Sequence, residues 1–181
     1  QGKTSVMVTH EPSLASRTDR NIIISDGELI DEAVSRGLPL LRHRHMLEIT
    51  KQATHKTFQP GEVILECGQG VDNLYLIARG TVDVMKKDNG AEKLLAHLQA
   101  DEFFGEIELL RGGQSIACVR AGSSEPVEVL IVNGADFLRI VKESPITAEA
   151  LGKIVEARLK ENYEFGIMKD VACFELRSWS L

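Results

Sequence analysis

The sequence predicts a mainly β fold with flanking helices: an antiparallel sandwich or barrel over residues 57–133, preceded by a short α/β fragment at the N-terminus. Three observations carry that expectation. Short apolar runs alternate with glycine-bearing turns across 57–133, the punctuation of an all-β domain. After residue 133 the apolar spacing lengthens to the helical period. The first thirty residues read strand, helix, strand, hairpin, which is the alternation of an α/β unit. With 181 residues, 43% of them hydrophobic and 27% charged, the chain has the make-up of one globular domain with a small appendage, not of a disordered or fibrous chain.

Taken in order, Ser5-Val6-Met7-Val8-Thr9 reads as a short buried strand. His10-Glu11-Pro12 ends it, and Ser13 is an N-cap candidate for a helix over 14–20. Ile22-Ile23-Ile24 and Glu28-Leu29-Ile30 flank Asp26-Gly27, a hairpin turn. About thirty residues bury too little surface to fold alone, so residues 1–32 are expected to be the end of a domain and the chain a piece of something longer. Residues 33–56 form a linker with one or two short helices, in which Leu40, Leu41, Met46, Ile49 and Ala53 share a side. Gln59-Pro60-Gly61 marks the exit into the β region.

Strands are then expected at 62–65, 74–77 and 81–85, with Asn89-Gly90 as a hairpin turn. Further strands are expected at 93–98, 116–121 and 127–132. A helix over 136–142 follows, and Ser144-Pro145 supplies an N-cap and first-turn proline for a longer one through Leu151, Ile154, Val155 and Leu159. Residues 161–181 are left as a tail.

One stretch breaks the strand–turn rhythm. Asp101-Glu102-Phe103-Phe104-Gly105-Glu106-Ile107-Glu108-Leu109-Leu110-Arg111-Gly112-Gly113 leaves room for a single helical turn between two strands. Free backbone N–H groups at the start of such a turn suit a phosphate. Gly105 lets the backbone approach a ligand closely, and Glu106 can accept hydrogen bonds from sugar hydroxyls but cannot bind the phosphate itself. A connecting loop with a surface glutamate is the competing reading.

An ordered series of residues carries a resemblance. It runs Phe58-Gln59-Pro60-Gly61-Glu62-Val63-Ile64, Gly68, then Asp72-Asn73-Leu74-Tyr75-Leu76-Ile77-Ala78-Arg79-Gly80. It continues Phe103-Phe104-Gly105-Glu106-Ile107-Glu108-Leu109-Leu110 and Ala117-Cys118-Val119-Arg120-Ala121, and ends in Phe137 and Arg158-Leu159. Residues 57–160 thereby resemble the cyclic nucleotide-binding domain family. The resemblance implies a double-stranded β-helix, or jelly roll, of eight strands with helices at both ends, and a phosphate-binding cassette at 104–119. It makes Phe104, Gly105, Glu106, Ile107, Glu108, Ser115 and Ile116 the candidate ligand-contacting residues, with Glu106 holding the ribose 2′-hydroxyl and cyclic AMP or cyclic GMP as ligand. Two positions depart from the family. Ser115 stands where the phosphate-binding arginine is expected, and Glu108 where a small residue is expected. A charge-assisted hydrogen bond contributes about 1.5–3 kcal/mol, so the loss of a bidentate arginine implies binding weaker by about tenfold to a thousandfold. Arg111 and Arg120 are the nearest replacements in sequence; Arg120 reads as a strand residue and Arg111 as a helix end.

The N-terminal string Ser5-Val6-Met7-Val8-Thr9-His10-Glu11-Pro12-Ser13-Leu14-Ala15, with Asp19-Arg20-Asn21-Ile22-Ile23-Ile24 and Asp26-Gly27-Glu28-Leu29-Ile30, resembles the closing segment of ABC-transporter ATPases, nearest to the lipoprotein- and macrolide-exporter type. His10 then resembles the switch histidine. The sequence holds no G-x-x-x-x-G-K-[ST] loop and no strand carboxylate for Mg²⁺, so the resemblance implies ATP and Mg²⁺ only in an intact parent and no catalytic residue in this chain.

The net charge of −6 argues against a nucleic-acid partner, and residues 161–181 are too few for a winged helix. A basic stretch at 34–56, net +4, reads as a solvated helix face. Three widely spaced cysteines, Cys67, Cys118 and Cys173, suggest neither a disulfide framework nor zinc; Cys67 and Cys118 read as packing residues beside strands. His43 and His45, at i, i+2, point apart on a helix, so no metal site is expected. No apolar run approaches the length of a membrane-spanning helix. The resulting expectation is a regulatory module fused behind an ABC ATPase, cytoplasmic and peripheral to the inner membrane through the transporter's membrane subunit, with a second copy of the chain as a further candidate partner. The alternatives are the ATPase subunit of an exporter in the intact parent, or a degenerate barrel used only for protein contact.

Overall fold

The computed structural model describes residues 6–9, 14, 21–88 and 91–164. Its first elements are a two-residue hairpin, β1 (Ile24–Ser25) and β2 (Glu28–Leu29). Asp26 and Gly27 at its tip have φ of 51° and 78°, the left-handed pair of a type I′ turn. Helix α1 (Glu32–Gly37) starts where the Asp31 carboxylate accepts from the Ala33 N–H at 2.8 Å. The Asp31 N–H donates in turn to Thr50 Oγ1, 3.0 Å away, which ties α1 to α2 (His43–Gln52).

Eight strands follow: β3 (Thr54–Phe58), β4 (Val63–Leu65), β5 (Asn73–Arg79), β6 (Thr81–Asp88), β7 (Ala91–Gln99), β8 (Phe103–Phe104), β9 (Cys118–Ala121) and β10 (Val127–Asn133). They form two antiparallel four-stranded sheets, ordered β3-β10-β5-β8 and β4-β9-β6-β7. Leu130 pairs with Leu76 in the first and Val82 with Ala121 in the second. This is the mainly β jelly roll with flanking helices that the sequence predicts.

The two sheets are buried differently. Ile77, Val127 and Val129 of the first sheet face Leu65, Val82, Val119 and Ala121 of the second. The first sheet's other face, with Leu74, Leu76, Leu130 and Val132, packs on Val34, Ile49, Phe137, Ile140 and Leu151 from the helices. A sheet covered on both sides needs apolar residues at consecutive positions, which is why β5 and β10 read as runs and not as alternations. Each fully buried Leu, Ile or Phe contributes about 1.5–3 kcal/mol.

Helix α3 (Glu106–Arg111) interrupts the strands between β8 and β9. Helix α4 (Gly134–Lys142) begins directly on β10, with Asn133 Oδ1 accepting from the Ala135 N–H at 2.9 Å and the Asp136 N–H at 3.3 Å. Helix α5 (Pro145–Glu164) has the expected proline at its first position and buries Leu151, Val155 and Leu159. No helix among the described residues is long and apolar enough to cross a membrane.

Several sequence expectations are corrected. Residues 6–9 are not a buried strand: they carry no regular structure, and Val6 and Val8 are almost wholly exposed. A strand needs a paired strand for its backbone groups, and none of the sheets among the described residues includes this segment. The sheets begin at Thr54, three residues before the expected start. Leu40 lies in the loop between α1 and α2 and is exposed, whereas Leu41, Met46 and Ile49 are buried as expected. The strand expected over 116–121 shortens to Cys118–Ala121, because Ile116 and Ala117 belong to the bend that closes the cassette. His10, most of the 14–20 helix, Asn89-Gly90 and the tail beyond residue 164 lie outside the described residues.

Candidate functional site

The cassette is built where β8 ends against β5. Tyr75 pairs with Phe104 across the two strands, and their rings stack with centroids 4.8 Å apart. The Phe104 side chain is therefore core between the sheets, and only its backbone is left to meet a ligand. Gly105 turns the chain with φ of 89°. A Cβ there would fall 2.8 Å from the Asn73 carbonyl oxygen, so both the conformation and the space call for glycine. Glu106 opens α3 in the position this turn creates.

Glu106 is 1% exposed. Arg158, one residue before Leu159 on α5, reaches it: Nη1 donates to Oε1 at 2.5 Å and also to the Phe103 carbonyl at 2.8 Å. The guanidinium lies over the Phe103 ring, 5.0 Å from its centroid. Glu106 Oε2 has no hydrogen-bond partner. Burial pushes the Glu106 carboxyl above the ordinary carboxylate range, while the Arg158 charge pulls the other way.

Glu108 is half-buried on the same short helix. Burial raises its pKa and the neighbouring Glu106 raises it further, against backbone N–H groups of its own residue and of Ile116 and the charge of Arg111. The fold thus brings Glu106, Glu108 and Ile116 together. Ile107 is half-buried and Ile116 exposed. Ser115 is 4% exposed, and its hydroxyl donates to the Ala117 carbonyl at 2.7 Å. Its N–H donates to the Gln69 carbonyl at 2.8 Å and its carbonyl accepts from the Gly68 N–H at 2.7 Å, so Ser115 is fixed to the turn between β4 and β5. Arg120 does not replace the missing arginine. It sits on β9 and its Nη2 donates to both Glu92 oxygens on β7, at 2.8 and 2.7 Å.

Residues 55–144 match the cyclic nucleotide-binding domain family by sequence. The segment belongs to that family. Among similar proteins, the cGMP-dependent 3′,5′-cGMP phosphodiesterase A of Dictyostelium discoideum is 30% identical over 131 residues, 72% of this chain and 14% of that protein. The cyclic AMP receptor protein of Thermus thermophilus is 32% identical over 107 residues, 59% of this chain and 49% of that protein. In three dimensions, the crystal structure of the Thermus thermophilus catabolite activator protein superposes with a TM-score of 0.60 at 27% identity, over 75% of this chain and 62% of that one. The regulatory domain of Toxoplasma gondii PKA, co-crystallised with cAMP, superposes with a TM-score of 0.61 over 70% of this chain and 49% of that one; at 18% identity it speaks for the fold alone. The chain spans less than half the length of these curated relatives.

Arg158 is the site residue that the sequence reading did not select. Its signal is positional: it lies seven residues after Leu151 and three after Val155, on the buried stripe of α5. A basic residue on an apolar stripe calls for a buried acid opposite it, and here that acid is Glu106.

Proposed function

We propose that the domain is a regulatory, non-catalytic module that takes a cyclic nucleotide weakly. The observation that carries this reading is Glu106 Oε2, a buried carboxylate oxygen with no hydrogen-bond partner in a cassette of the family's sequence. A ribose 2′-hydroxyl would satisfy it. The phosphate would meet backbone N–H groups and Ser115 in place of an arginine fork, and the half-buried Glu108 would oppose it. Because Arg158 links Glu106 to α5, a ligand on that carboxylate would redistribute the contact and shift the C-terminal helix, which is how occupancy would be reported.

The first prediction tests this by calorimetry with cyclic AMP and cyclic GMP. Wild type should bind weakly, Ser115→Arg should bind at least about tenfold tighter, the equivalent of 1.4 kcal/mol, and Glu106→Ala in that background should remove most of the gain. Tight wild-type binding that Ser115→Arg leaves unchanged would sink the assignment of Ser115.

We further propose, on the sequence likeness of residues 5–30 alone, that the parent is the ATP-binding subunit of an ABC exporter, with this module regulating it from the cytoplasmic side of the membrane. A parent reading frame without an upstream phosphate loop would overturn that. A second reading, a barrel used only for protein contact, is favoured by the Glu108 carboxylate, which already faces the Ile116 N–H of the cassette. Absence of binding even in Ser115→Arg would select it.

A further inference from the structure

Two of the three cysteines meet behind the cassette. Cys118 is the first residue of β9 and is buried, whereas Cys67 lies in the turn between β4 and β5 and is exposed. That exposure corrects the expectation that Cys67 serves packing. The Cys67 N–H donates to Cys118 Sγ at 3.2 Å, and the Cys67 sulfur is three covalent bonds from that same nitrogen. Cys118 is close enough to raise the Cys67 pKa, and Cys67 Sγ lies 3.5 Å from the Ile116 carbonyl oxygen. The backbones around them are clamped on both sides. Leu65 pairs with Val119, Gly70 bridges Gln114, and Ser115 exchanges hydrogen bonds with Gly68 and Gln69. Cys67 and Cys118 are not themselves a registered pair; what brings them together is the 3.2 Å contact from the Cys67 N–H to Cys118 Sγ, and a disulfide between them needs Cα atoms about 4.4–6.8 Å apart.

We propose that Cys67 and Cys118 form a reversible intrachain disulfide that fastens the end of the cassette to the β4–β5 turn. The oxidant is a low-molecular-weight disulfide, represented by oxidised glutathione. The Cys67 thiolate attacks one glutathione sulfur, the glutathione S–S bond breaks, and one glutathione leaves as thiolate and takes up a proton. Cys118 then gives its proton to water, and its thiolate attacks Cys67 Sγ and expels the second glutathione. Two protein thiols are oxidised by two electrons, and one glutathione disulfide is reduced to two thiols. Buried Cys118 meets no external oxidant directly; it reacts only with a neighbour already activated. Burial raises the Cys67 pKa, and Cys118 and Glu66 raise it further against the charge of Lys87. The thiolate is therefore scarce near neutrality and the first step is expected to quicken steadily as pH rises.

The experiment uses the full chain with Cys173→Ser, treated with oxidised glutathione and digested with trypsin without reductant. The expected product joins peptide 57–79 to peptide 112–120, and reduced glutathione dissolves it. Cys118→Ala should stop at a glutathione adduct on Cys67, and Cys67→Ser, an exposed substitution that leaves the fold intact, should stay unmodified. Oxidation should also slow amide exchange at Gly68 and Ser115. A stable Cys67 adduct in the parent that never resolves, or a linkage between two chains, would overturn the proposal. So would a linked product in wild type that carries Cys173 in place of either cysteine.

Discussion

Glu106 and Glu108 are carboxylates whose pKa values burial raises, and neither Arg158 nor Arg111 offsets it fully. A raised acid pKa means that the folded state holds its proton more tightly than the unfolded chain does. Their contribution to stability is therefore complete below the ordinary glutamate range and is lost as pH climbs through the raised values. Denaturant unfolding of wild type and Glu108→Gln between acid and neutral pH should show this. The variant should match wild type in acid and exceed it as pH rises, and parallel curves would refute the assignment. Glu106 and Glu108 were legible as candidate site residues because the Phe-Gly-Glu series marks them. Arg158 was legible only as one of the residues that close the family series, with no role attached, since its partner lies 52 positions away and sequence period carries no information about that distance.

At the scale of elements, the passage from β10 into α4 concentrates several requirements. Asn133 caps the helix while still pairing with Asn73 in the sheet. Gly134 follows because a Cβ there would lie 2.6 Å from the Asp72 carbonyl oxygen and 2.4 Å from Leu109 Cδ2. Asn133→Ala should cost about 1 kcal/mol, the ordinary loss of a cap. Gly134→Ala should cost more, about 2 kcal/mol or above, because backbone atoms must move. Chemical denaturation measures both, and equal costs would show that the space around Gly134 relaxes freely. Elements bounded by glycine or proline, such as the Asp26-Gly27 hairpin and the Pro145 start of α5, were readable in the sequence. Strand β3 was not. Its Thr54-His55-Lys56-Thr57-Phe58 has one buried residue, the last, and sits at a sheet edge, so no apolar alternation betrays it.

For the whole molecule, Arg158 is the polar contact that joins α5 to the cassette, while Leu151, Val155 and Leu159 supply the apolar seat. Removing it should leave Glu106 buried without a counter-charge, at a cost of about 3 kcal/mol. In hydrogen exchange, Arg158→Ala should lose protection along α5 and α3 before β5 and β10, and Glu106→Gln should restore much of the stability. Uniform loss across both sheets would argue that the pair supports the fold at large. The jelly roll as a whole followed from the rhythm of turns, but not the way its sheets are covered: β5 and β10 are apolar at consecutive positions because helices shield their outer face. The sheet without that cover ends in β7, nine residues long and exposed for most of its length. Among the described residues no strand lies beyond it, which leaves an edge on which another chain could continue the sheet. Glu92 and Lys93 sit on it, with Lys93 directly across from Lys86. Glu92 is held by Arg120, so Lys93 is the charge that an arriving strand would have to strip of water. A charged lysine on an edge strand guards against aggregation between molecules.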